Sequence, residues 1–218
     1  MLSHVQGLIV FAALVLCIAS AQRDNPAEQS AKDPLRIAGS SNGKLKLTLG
    51  RTSSTVDLSA NLSGCWGALY DGADRKSKPS AVVLSPRVLD EVQKNGVWYV
   101  TAQVSLNGGC NVNGMCGAST TVNLIWLKLD QKLAVSKQQF SVVQNCIDQT
   151  ELTQWVGRGS NDVDNALNPK LELRNGMLEI VFETSSYANK VKTISKLRYE
   201  HRAPEKGLQI SSQRVALK

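Results

Sequence analysis

Histidine is almost missing from this chain: two occur in 218 residues, His4 and His201. His4 falls in an amino-terminal segment that export would remove, and one remaining imidazole leaves few of the usual acid–base constellations. No His-Glu-x-x-His and no Cys-x-x-Cys occurs, and no Gly-x-Ser-x-Gly elbow between a strand and a helix is expected. Zinc-peptidase, thioredoxin-type and serine-esterase chemistries therefore lack their parts. For His201 a hydrogen-bonded surface role is expected, because no partner is fixed near it in sequence. Acidic residues are present without a spacing that selects a glycosidase pair. Nor is there a metal-binding loop: Ser160-Asn161-Asp162-Val163-Asp164-Asn165 gathers oxygen ligands. Counted from Asp162, however, Ala166 and Leu167 stand where an EF-hand needs a ligand and a glycine. No cofactor is implied.

Long apolar runs are also lacking. The one candidate, Leu8 to Ile18, is too short to span a bilayer, which takes ~20 apolar residues as a helix. It has the form of a signal peptide ending in Ala19-Ser20-Ala21, so residues 1–21 are expected to be removed after Ala21, in a chain that is secreted or periplasmic. No transmembrane helix is expected in the mature chain. Leu14-Val15-Leu16-Cys17 resembles the bacterial lipoprotein box and would make Cys17 a lipidated anchor, although Leu16 stands where that box has a small residue. With Cys17 removed the five cysteines become four, Cys65, Cys110, Cys116 and Cys146, an even number in an oxidising compartment, and hence a disulfide framework. Sequence alone leaves three connectivities open. The favoured one joins Cys110 to Cys116 across a Gly-rich hairpin tip and Cys65 to Cys146.

What the chain has is strand pattern. Trp98, Val100, Ala102, Val104 and Leu106 share one parity and Tyr99, Thr101, Gln103 and Ser105 the other, the alternation of a strand with one core face and one wet face. Trp98 and Trp126 are accordingly expected in the core and Tyr99, Gln103 and Asn123 nearer to solvent. From Thr120 to Leu129 both parities are apolar, which suits a central strand. Further strands are expected at Lys44–Leu49, Thr55–Leu62, Ala81–Leu84 (ended by Pro86), Leu133–Val143, Leu171–Leu173, Met177–Phe182, Val191–Tyr199 and Leu208–Leu217. A helical turn is expected at Glu151–Trp155. Asn175-Gly176 is the strongest hairpin signal, because a type I′ turn needs positive φ at both positions. Residues 22–43 mix proline, glycine and charge without an apolar period and are expected to be a flexible leader. Residues 44–218 then form a single all-β domain, an antiparallel β-sandwich or barrel of roughly nine to eleven strands with little helix, stapled by disulfides.

Two local resemblances arise within this pattern. Gly64-Cys65-Trp66 resembles the Gly-x-Trp that opens lipocalin barrels, although here a strand pattern precedes it. Trp126-Leu127-Lys128-Leu129-Asp130 is similar to a blade fragment of secreted β-propellers but has no second copy in the chain, where blades recur every ~40 to 50 residues.

Charge supplies the candidate site. The chain carries a formal +7, and Ser186 to Lys218 alone holds eight Lys or Arg against two Glu. Lys190, Lys192, Lys196, Arg198 and Arg202 share one parity. Same-face neighbours on a strand are ~6.7 Å apart, within the ~8 Å screening length at physiological salt, so the stripe gathers anions or repels itself. The expected function is extracytoplasmic binding, with anionic glycan or envelope polymer as the leading ligand class and nucleic acid not the expected partner. A carbohydrate-active enzyme and a structural accessory domain are the competing classes. A stripe of cations that merely guards a sheet edge from aggregation is the plainer explanation of the same residues.

Overall fold

The computed structural model describes residues 34–40, 43–62, 84–107, 120–146, 149–155 and 169–217. Within these the chain is all-β, with eleven strands, two short 3₁₀ turns (Ser59–Leu62 and Pro204–Lys206) and no α-helix. The strands form three antiparallel sheets. The first contains β1 (Arg36–Ser40), β2 (Lys44–Leu49) and β3 (Thr52–Asp57). In the second, β4 (Leu84–Lys94), β5 (Val97–Asn107), β6 (Thr120–Leu129) and β7 (Val135–Gln144) lie in chain order. The third runs β11 (Gln209–Ala216), β10 (Val191–Glu200), β9 (Met177–Ser186), β8 (Thr150–Trp155).

The second sheet is the wall between two apolar cores. Trp98, Val100, Ala102, Val104 and Leu106 of β5, with Ile125, Leu127 and Leu129 of β6, meet Leu45, Leu47, Leu49 and Val56 of the first sheet. The opposite face supplies Tyr99, Val122, Leu124 and Trp126 to Leu152, Leu178, Ile180, Phe182, Leu197 and Tyr199 of the third. Buried apolar side chains contribute ~25 cal/mol per Å² removed from water, and β5 and β6 collect this on both faces.

Several expectations are corrected by this arrangement. Trp98 and Trp126 are buried, but so are Tyr99, Gln103 and Asn123, because the third sheet covers the face expected to be wet and the first covers the face of Asn123. Gln103 is tolerated there because all its hydrogen-bonding capacity is used. Its Nε2 donates to Pro169 O (2.8 Å) and Ser105 Oγ (3.0 Å), and its Oε1 accepts from Leu171 N–H (3.0 Å) and the Arg87 guanidinium (3.2 Å). Arg87 also donates to Leu171 O. The segment Pro169–Leu171 is thereby tied to β5 and makes no strand.

Pro86 does not end a strand. It lies within β4 opposite Val104, and β4 is an edge strand, where a missing N–H costs no ladder bond. Glu151–Trp155 belongs to β8 rather than to a helical turn, since pairing with β9 satisfies its backbone. The stretch expected to be leader contains β1, paired with β2 from Arg36↔Thr48 to Ser40↔Lys44; backbone bonds hold it together with Leu35, buried in the first core, and Ile37 packed against that core. Gly39 is required there, because a Cβ at that position would stand 1.8 Å from Leu84 O. Asn175 and Gly176 adopt φ of 53° and 73°, as the type I′ turn demands. The amino-terminal segment, Cys17, Cys65, Cys110, Cys116 and the acidic loop at 160–165 lie outside the described residues. Among the described residues no helix is long and apolar enough to cross a membrane.

Candidate functional site

β10 alternates in burial from Ser195 to Tyr199. Ser195, Leu197 and Tyr199 are buried toward the second sheet, while Lys196 and Arg198 are exposed on the other face. Lys192 shares that outer face by parity. Lys190 and Arg202 sit in the turns that bracket the strand, Lys190 at φ 50°, and both are exposed. The structure thus brings Lys192, Lys196 and Arg198 together on one face and sets Lys190 and Arg202 at its two ends.

Strand pairing adds what a single strand cannot show. β9 lies beside β10 with Arg198↔Glu179 and Ile194↔Glu183 in register, so carboxylates stand on the same face as the cations. Lys192 Nζ is 2.6 Å from Glu183 Oε2. That hydrogen bond and the glutamate's charge raise the ammonium's pKa above its ordinary value. Lys196 and Arg198 share Glu179 at 3.8 and 3.9 Å, and Arg198 gives one further nitrogen to Glu200 at 2.8 Å. Exposed pairs of this kind contribute ~0 to 1 kcal/mol each. Lys192 and Arg198 each have one close carboxylate, whereas Lys196 is held loosely.

A second cluster had no counterpart in the sequence reading. Tyr199 donates its hydroxyl to Asp90 Oδ2 at 2.7 Å, and His201 Nδ1 lies 3.0 Å from both Asp90 oxygens. A carboxylate only accepts, so Nδ1 carries the hydrogen and Nε2 is the acceptor in the neutral ring. The Asp90 side chain is 11 % exposed and that of His201 50 %. Burial, reinforced by the bond to Asp90, raises the phenol of Tyr199 well above its ordinary range. The partner that His201 lacked in sequence is supplied by a β-bulge. Between Val88 and Asp90 the pairing of β4 with β5 shifts by one residue, which turns Asp90 onto the same side as Arg87, facing the third sheet. Simple alternation would have put Asp90 on the other side.

The string Gly39-Ser40-Ser41-Asn42-Gly43 does spell Gly-x-Ser-x-Gly. It stands between antiparallel β1 and β2 and not between a strand and a helix, so it is no nucleophile elbow. Among the described residues no group of three or more His, Cys, Asp or Glu side chains is placed to hold a metal.

No protein-family model matches this chain, and neither a curated protein nor a solved structure is detectably similar to it.

Proposed function

We propose that the chain is an exported binding domain, a layered sandwich stapled by disulfides, that takes anionic polysaccharide or envelope polymer along β10. The observation that carries this reading is the state of Lys196 and Arg198. They are adjacent on one face, 59 % and 44 % exposed, and reach their shared carboxylate Glu179 only at 3.8 and 3.9 Å, Arg198 keeping one closer contact to Glu200 at 2.8 Å. Lys190 and Arg202 extend the row at either end, while Lys192 is already committed to Glu183. An anionic polymer laid along the strand takes up these four cations and releases its condensed counterions, so its affinity falls steeply with salt.

The test is retention of the purified protein on a sulfated-polysaccharide column under a salt gradient. The variant Lys196→Gln/Arg198→Gln is expected to elute at markedly lower salt, and Lys192→Gln close to the parent. Equal elution of all three would overturn the binding reading, and since β10 lies between β11 and β9 the row would not be an edge guard either.

Export and stapling belong to the same proposal: residues 1–21 as signal peptide, Cys110 joined to Cys116, and Cys65 to Cys146. Support for stapling is the even count of four cysteines left once Cys17 is removed with the signal peptide, in a chain read as bound for an oxidising compartment. A peptide map of non-reduced protein should return both cross-links and no free thiol; a free Cys110 or Cys116 would overturn the pairing.

The Asp90–His201 pair favours a second reading, a carbohydrate-active enzyme in which His201 Nε2 takes a proton. The same polymers, incubated with parent and His201→Gln protein, decide it: turnover that vanishes in the variant would replace the binding reading.

A further inference from the structure

The edges of the three sheets are not alike. β4 carries Pro86 and a bulge, β8 carries a bulge between Leu152 and Gln154, and β7 is irregular at both ends of its pairing. β1 and β3 are only five and six residues long. These are the devices that keep sheet edges from pairing with other chains. β11 has none of them. It runs eight residues, exposed throughout, in unbroken register with β10, without proline and with Arg214 as its one charged residue. Ile210 is 49 % and Val215 40 % exposed.

The direction of its free hydrogen-bonding groups follows from one bond. Leu217 N–H donates to Lys190 O at 2.9 Å, on the same register as Val191↔Ala216. In an antiparallel ladder the bonded pairs recur every second residue, so Val215, Gln213, Ser211 and Gln209 bond to β10. Ile210, Ser212, Arg214 and Ala216 therefore aim their N–H and C=O groups at the open edge, and no described strand meets them.

We infer that this edge pairs with a second copy of the chain, β11 against β11, antiparallel about a two-fold axis normal to the sheet. Such an axis keeps the outer faces of the two sheets on one side, so opposed residues must have the same parity. Centred on Gln213, the pairing uses all four outward-aimed residues of each copy. Ile210 then lies opposite the partner's Ala216, Ser212 opposite the partner's Arg214, and Gln213 opposite the partner's Gln213. No like charges are opposed. The chain's net +7 does not forbid the approach, because Arg214 lies opposite the partner's Ser212 and the cations one strand further in, Lys192, Lys196 and Arg198, already face Glu183, Glu179 and Glu200. One strand pair is a small interface, of the size that gives weak association.

Sedimentation equilibrium of the mature protein at roughly 0.01 to 1 mM, spanning the range of a weak interface, tests the inference. The parent is expected to show a monomer–dimer equilibrium. Ser212→Pro removes an outward N–H and none that bonds to β10, and should weaken the dimer at least tenfold. Ile210→Lys, which does not disturb the backbone, should do the same if the proline variant fails to fold. Gln213→Cys, opposed to itself at a Cα distance of about 4.5 Å, should cross-link under mild oxidation, and Tyr187→Cys should not. A parent that is monomeric at 1 mM, association untouched by both edge variants, or equal cross-linking at 187 and 213 would each overturn it.

Discussion

Trp126→Ala is expected to lose about 3 to 5 kcal/mol of stability, a large fraction of the roughly 5 to 15 kcal/mol that holds a domain folded. The indole is 1 % exposed, stacks on Tyr99 at 6.1 Å between centroids and donates Nε1–H to Pro204 O at 3.0 Å. Lys137 Nζ lies 6.0 Å above its ring. Truncation empties the centre of the core between the second and third sheets and removes one of the two donors to Pro204 O, which keeps Gly207 N–H at 3.2 Å, so the cavity cost dominates. Urea unfolding followed by circular dichroism measures the loss. Tyr187→Ala, at a side chain 70 % exposed, is the control and should change stability by no more than about 0.5 kcal/mol. A loss below 1 kcal/mol in the Trp126 variant would show that the second core is not formed as described.

The other large effect is expected at Gln103→Leu. Leucine fills much the same volume in a buried site, so an apolar-core argument alone predicts little change. Yet the substitution strips partners from Leu171 N–H, Pro169 O, Ser105 Oγ and Arg87 together, and each buried group left unpaired costs about 1 to 3 kcal/mol. With partial relaxation the variant should lose about 3 kcal/mol or more, and the Leu171 amide should exchange with solvent sooner than in the parent. Gln103→Glu keeps the acceptor for Arg87 and Leu171 and should fall between the two. A leucine variant as stable as the parent would mean that water or a shifted Pro169–Leu171 segment takes over these bonds.

Gln103 also marks where sequence reading stopped. Alternation located β2, β5, β6, β9 and β10, and the Asn175-Gly176 turn was legible from its backbone demand. Parity tells which residues share a face but not what stands opposite that face. Alternation in β5 alone therefore assigns Tyr99 and Gln103 to solvent, and Asn123 is placed with them although it shares its parity with Ile125 and Leu127. The signal that could have corrected this was in β6, where Val122, Leu124 and Trp126 on one parity and Ile125, Leu127 and Leu129 on the other required a layer on both sides. β5, as its hairpin partner, had to be covered on both sides as well. The candidate site was limited in the same way. The alignment of Lys192, Lys196 and Arg198 follows from one strand, whereas Glu179 and Glu183 reach them through pairing with β9. Asp90 reaches His201 only because a bulge reverses the parity of β4. Pairing and bulges are contacts between segments distant in the chain, and no local pattern carries them.

The two-sided burial of β6 also removes the usual means of setting a strand's register. In a sheet with one wet face, a slip of one residue drives the whole apolar set into water and is rejected for that reason. In β6 the same slip would exchange one apolar row for another, with little change in hydration. Alignment must then be enforced by the few groups that cannot trade places: the indole N–H of Trp126, which has its acceptor only at Pro204, and the Asn123 amide, which donates to Val104 O at 3.3 Å. On this view the polar atoms of the most deeply buried strand act as locating pins. They discriminate among alignments that oiliness alone would leave nearly equivalent, which is a reason for an asparagine to stand where a valine would pack as well.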